Sequence, residues 1–221
     1  MHFKIRFIAL LLLSTAAHTQ AATTATLTVT GTVSPPTCDV SIPSSALDLG
    51  VMPSFRVASY PLKDNVAYTV PARSVALTIT CDGALPFALN FSDNKVAGKP
   101  VIGADTAYYY GLGTIGAYSL KFTDLTVIDS ASATKKPAGY LYRAKASVGA
   151  WSIASTVPDS TLFKPDNYLG FRAAGNETTP SALRGISGTL SVQPYLMKTL
   201  VDGIATDIKL DGSATITLQY V

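Results

Sequence analysis

The side chains best suited to catalysis are nearly missing from this 221-residue sequence. Histidine occurs only at His2 and His18, and Glu177 is the sole glutamate. Both histidines fall in a segment that reads as an export leader. Lys4 and Arg6 give a basic start, Phe7 to Leu13 an apolar run, and Thr19-Gln20-Ala21 the small residues of a cleavage site, so cleavage is expected after Ala21. The apolar run is too short for a transmembrane anchor, which needs about 20 residues, and direct membrane insertion is not expected. A chain without histidine has no Ser-His-Asp or Cys-His machinery, no histidine zinc site and no general base with a pKa near neutrality. Aspartates can pair as acid and base, but no spacing here points to such a pair. No catalytic residue, metal site or cofactor is expected, and the protein does not read as an enzyme.

Two cysteines remain, Cys38 and Cys81, separated by 43 positions. In an exported chain one disulfide is the expected state, and a catalytic thiol would lack its histidine partner. Closing a loop of this length stabilises by about 4 kcal/mol in the chain-entropy picture. Tyr108-Tyr109-Tyr110 and Trp151 could form an aromatic binding platform. The plainer reading is a loop and short strand whose tyrosines cover a sandwich. Asn176-Glu177-Thr178 fits the glycosylation pattern, a three-residue match expected by chance.

Without the leader, the 17 basic residues lose Lys4 and Arg6 and face 14 acidic ones, a net charge of about +1. Nucleic acid therefore has no electrostatic claim as a partner. The roughly 200 residues left suit one large β-domain or two small ones.

The elements follow from alternation. From Ala25 to Val33 small or apolar residues alternate with threonine, so Leu27, Val29, Gly31 and Val33 share one face of an expected strand. Pro35 and Pro36 deny it a local hairpin partner, and such a strand must pair across the fold or with another chain. Val40 and Ile42 continue the pattern past Cys38, and Leu47 to Met52 is a short apolar piece split by Gly50. Ser74–Cys81 and Leu85–Phe91 read as strands joined at Asp82-Gly83, a hairpin. Tyr118–Ile128 is a strand whose phase slips at Thr123-Asp124, which predicts a bulge. Gly139–Ala146 and Ala150–Ile153 read as further strands, and Val157–Pro180 as long loops. Ile186–Leu196 is a strand in which Pro194 calls for an edge or a bulge. Leu200–Lys209 reads as a short strand. In Ser213–Val221, Ala214, Ile216, Leu218 and Tyr220 face one way and Thr215, Thr217 and Gln219 the other. Many short strands without a sustained helical period indicate an all-β sandwich.

In this order the pieces resemble a chaperone–usher pilus (fimbrial) subunit. The residues that carry the resemblance are TLTVTGTV ahead of Cys38, LDLGVM after it, Cys81 followed by Asp82, and ATITLQYV with its penultimate tyrosine. The chain is longer than a minimal shaft subunit, with the extra residues between about Asn94 and Gly185, which fits a minor subunit or a divergent fimbrial-like family. The resemblance implies an immunoglobulin-like sandwich lacking its last strand, over residues 38–221, preceded by a donor-strand extension over residues 22–37. It implies that a periplasmic chaperone fills the open groove. At the outer-membrane usher, the extension of a neighbouring pilus subunit then replaces it, at the cell surface. Leu27, Val29, Gly31 and Val33 would enter a neighbour's groove. Ala214, Ile216, Leu218 and Tyr220 would border this subunit's own groove, with Tyr220 near the place the chaperone grips. The competing expectation is an exported monomeric β-sandwich that binds carbohydrate or another surface ligand through Trp151 and the tyrosines.

Overall fold

The computed structural model describes residues 27–44, 46–129, 135–146, 149–153, 163–173 and 177–221. The leader, the first residues of the extension and Asn176 lie outside them. The chain divides into two units at Ser34–Pro35. In the first, the described residues 27–34 form no strand, and Leu27, Val29 and Val33 are 87%, 86% and 100% exposed.

The regular structure of the second unit is almost wholly antiparallel strand, with two short helices and a 3₁₀ turn. In chain order these begin with β1 (Cys38–Ser41), a one-turn helix α1 (Ser54–Val57), β2 (Leu62–Lys63), β3 (Ala67–Thr69) and the long β4 (Arg73–Asp93). A 3₁₀ turn at Ala104–Tyr108 precedes β5 (Tyr110–Gly111), β6 (Gly116–Asp129), β7 (Lys136–Pro137), β8 (Gly139–Ala144) and β9 (Ser152–Ile153). Then come β10 (Asn167–Arg172), β11 (Ala182–Met197), a short helix α2 (Lys198–Asp202) and β12 (Ala214–Tyr220). One layer centres on β11, paired with β6 on one side and with β4 and β3 on the other. The other layer runs β12, second half of β4, β10, β8, β9.

The hairpin expected at Asp82-Gly83 does not form, because β4 runs straight through and serves both layers. Its first half pairs with β1 and β11, its second with β12 and β10. Between them, β11 advances from Leu183 to Gly185 while β4 steps from Leu85 back to Thr80. The Asp-Gly pair has a different task. Asp82 accepts the Thr37 N–H on its carboxylate at 2.7 Å and donates its own N–H to the Thr37 carbonyl at 3.1 Å. A Cβ on Gly83 would lie 2.9 Å from Pro36 Cβ. Both residues are chosen for the segment that crosses them.

The bulge at Thr123-Asp124 is present. Asp124 has φ +54°, and the β6–β11 register slips between Ser187 and Thr189, where a Cβ on Gly188 would meet Leu125 Cδ1 at 2.9 Å. Pro194, which cannot donate to a ladder, sits where β11 leaves β4 after Val192 and meets β3 at Tyr195. Leu47–Met52 is the split apolar piece expected, with Gly50 at φ +71° donating its N–H to the Asp48 carboxylate at 2.8 Å. Two other expectations fail. Val157–Pro180, expected as long loops, contains β10, which pairs with both β4 and β8. Leu200–Lys209 starts inside α2, where the Lys198–Asp202 pair spans one helical turn and Tyr68 Oη donates to Asp202 at 2.8 Å.

The layers meet in aromatic rings. Phe122 of β6 packs on Phe91 and Phe171 of the facing layer, with ring centroids 6.5 and 6.4 Å away, and on Phe163 at 5.0 Å. Tyr109 and Tyr110 are 1% and 0% exposed rather than displayed. Tyr110 stacks on Tyr118 at 5.3 Å and donates its hydroxyl to the Phe163 carbonyl at 3.1 Å. Burial raises the phenol pKa of Tyr110, Tyr118 and Tyr142 and pushes Tyr140 up to about 12. The folded state therefore keeps protons that the unfolded chain releases near pH 10. Their stabilisation is complete below about pH 10 and is lost as pH rises through the folded values. Thermal melts should give a flat melting temperature up to about pH 9 and a steep fall above about pH 10.

Candidate functional site

Strand β12 has a sheet partner on one side only, β4, among the described residues. Its alternation is the expected one. Ala214, Ile216 and Leu218 are half-buried against the core, while Thr215, Thr217 and Gln219 are exposed. Tyr220 lies in line with the inward set, opposite Phe87, and is itself exposed. Both ends of the strand are tied down. At its start the Asn94 amide donates to Ser213 Oγ and Thr215 Oγ1 at 3.0 Å each, and Lys95 pairs with Asp211 at 2.6 Å. At its end Val221 N–H donates to the Pro86 carbonyl at 3.2 Å, and Tyr220 Oη accepts the Cys38 N–H at 2.9 Å. The free edge between these anchors is preformed.

The cysteines are directly opposed across β1 and β4 and bonded, with Cα atoms 4.0 Å apart. Tyr220, Cys38, Cys81, Asp82 and Thr37 thus form one clasp where β1 begins. Beyond β1 the chain forms the far rim, presenting Ile42, Leu47, Leu49 and Met52 half-buried and Asp48 and Gly50 outward. Between this rim and β12 lies a cavity of about 960 Å³. Val75, Leu120, Leu190, Val192 and Leu196 form its floor, and residues 204–210 close one flank. The β12 edge offers unpaired backbone groups, as any edge strand does. Together the edge and the apolar floor are what an added strand requires: main-chain hydrogen bonds along one side and pockets for alternate side chains beneath.

Of the residues expected to act, Cys38 with Cys81, and Ala214, Ile216, Leu218 and Tyr220, converge on this groove. Leu27, Val29, Gly31 and Val33 belong to the first unit, where they are exposed and outside any strand. No three His, Cys, Asp or Glu side chains cluster as a metal site among the described residues. The sequence did not announce the flank at 204–210, most of which falls in Leu200–Lys209, expected as a short strand. Nor did it announce Arg143, which stands with Trp151 and Tyr168 on the outer face of the second layer. No family model matches the chain, and no curated protein does.

Proposed function

We propose that this protein is a structural subunit of a bacterial surface pilus or fimbria, an incomplete immunoglobulin-like sandwich that polymerises by donor-strand exchange and contributes to cell adhesion. The observation that carries this reading is the anchored free edge of β12 above an apolar groove, in a chain whose early residues alternate like a strand and whose described residues 27–34 pair in none. A seven-residue edge spans about 23 Å at about 3.3 Å per residue, a length the alternating stretch Ala25–Val33 can cover. Burial of Leu27, Val29 and Val33 would contribute at most about 1.5–3 kcal/mol each. A periplasmic chaperone holds the groove first, and the extension of a neighbouring subunit takes its place at the outer-membrane usher.

The test is a synthetic peptide copying Thr23 to Pro35, added to the purified chain. At 100 times its Kd the peptide should stabilise by about 2.7 kcal/mol, raising the melting temperature by about 5–10 °C for a domain of this size. A peptide with Leu27 and Val29 changed to aspartate should do nothing. A stable monomer indifferent to the native peptide overturns the reading.

A further inference from the structure

The second layer carries, on the face turned away from the core, a hollow that the groove does not use. Leu169 and Phe171 of β10 point into the core, so Tyr168 and Gly170 point out. Register places Ala88 and Leu141 beside Gly170, and Arg143 and Asn90 beside Tyr168. The small residues Ala88 and Gly170 leave the sheet low at this point, and larger groups settle on it. A Cβ on Gly170 would lie 2.8 Å from Pro180 Cγ and 3.0 Å from Trp151 Cζ3. Trp151 and Tyr168 flank the Arg143 guanidinium, whose Cζ stands 4.4 and 5.4 Å from their ring centroids. Thr179 and Gln219 complete a pocket of about 540 Å³.

Arg143 is the unexplained member. Its Nε is buried without a hydrogen-bond partner, and its guanidinium has no carboxylate partner among the described residues. A buried donor left unpaired is costly, and two aromatic faces hold this group in place rather than satisfying it. A guanidinium fixed in this way is suited to grip a carboxylate by two parallel N–H···O bonds. The surroundings add flat apolar walls from Trp151, Tyr168 and Pro180, and a hydroxyl and an amide from Thr179 and Gln219. Walls and polar rims of this kind suit a polyol ring.

We propose that this pocket binds a carboxylate-bearing sugar residue, with the acid on Arg143, the ring against Trp151 or Tyr168 and the hydroxyls on Thr179 and Gln219. This site shares the end of β12 with the strand-accepting groove, through Gln219, Tyr220 and Val221, and its Arg143, Trp151 and Tyr168 stand on the opposite face of the sheet. A subunit that reads as purely structural would then bear a lectin-like contact of its own on an outer face.

Trp151 is the only tryptophan in the chain, so its fluorescence reports occupancy of this pocket directly. Titrating the full chain with N-acetylneuraminic acid and with D-glucuronic acid should give a saturable fluorescence change for at least one of them. Its methyl ester should bind at least 10-fold more weakly. Arg143→Lys keeps the charge and loses the planar fork, and should weaken binding about 10-fold with an unchanged melting curve. Should Arg143→Lys unfold the chain, Thr179→Val serves, and should weaken the sugar several-fold. Stabilisation by the Thr23–Pro35 peptide should be the same in Arg143→Lys and Thr179→Val, neither of which lies on β12, which separates this site from the groove. Three results overturn the proposal: no fluorescence change with either acidic sugar, equal binding of acetate and the sugars, or tighter binding of a peptide C-terminus than of either sugar.

Discussion

Replacing Cys38 and Cys81 together by alanine is expected to lower the unfolding free energy by about 4 kcal/mol, because the unfolded chain regains the freedom of a 43-residue loop. For a domain of this size the melting temperature should fall by about 8–16 °C. The consequences should reach the groove. Strand β1 is four residues long and, among the described residues, pairs with β4 alone. Once the sulfur bridge is gone, a short ladder, the Thr37–Asp82 contacts and the backbone N–H of residue 38 on Tyr220 Oη, which alanine keeps, hold the point from which the far rim departs. Peptide-induced stabilisation should therefore shrink in the double variant, beyond what the lower baseline explains. Urea melts of the oxidised chain, the reduced chain and the double variant check this, and the last two should coincide. A loss below about 1 kcal/mol would show that β1 is held by its ladder, not by the sulfur bridge.

What could be read in advance was what a few adjacent residues decide. Alternation in 74–81 and 213–221 identified faces as well as strands, because period two and one-sided burial leave no freedom in which side points inward. The bulge at Asp124 was legible because the apolar phase slips there within two residues. Asp82-Gly83 misled because its reasons are distant. Turn chemistry and tolerance of a close crossing ask for the same two residue types, and Pro36 and Thr37 stand nowhere near them in sequence. Leu200–Lys209 misled for a related reason: α2 is stabilised by Tyr68, more than a hundred residues away. The tyrosine triplet is ambiguous in any single sequence, since stacking on Tyr118 and Tyr195 decides whether aromatic faces are core or display. The Arg143 hollow was the least legible feature, assembled from β8, β10 and the turn at Pro180 by register alone.

Gly31 offers the sharpest separation between folding and assembly. Among the described residues nothing calls for glycine at that position: it does not take a positive φ, and a Cβ placed on it meets nothing within 4 Å. Glycine in an extended segment costs about 0.5–1 kcal/mol of backbone freedom relative to alanine. Gly31→Ala and Gly31→Leu should therefore leave the melting temperature of the isolated chain within a degree or two, with any shift upward for alanine. Assembly should respond in the opposite sense. Gly31 lies on the face shared with Leu27, Val29 and Val33, so a donor strand bound in a neighbour's groove would bring its Cα down onto apolar floor and facing backbone. A leucine there has to be overpacked into a closed space, at a cost of about 1–3 kcal/mol or more. In a peptide this corresponds to a loss of about 10- to 100-fold in affinity, and in a growing fibre the loss recurs at every junction. The expected result is a Gly31→Leu subunit that folds and melts normally, accepts the native Thr23–Pro35 peptide into its own groove, and fails to extend fibres. Light scattering of assembly mixtures and melting curves of the same samples read the two properties separately. If Gly31→Leu destabilises the isolated chain instead, the segment is an ordinary strand of its own fold, and strand donation is excluded.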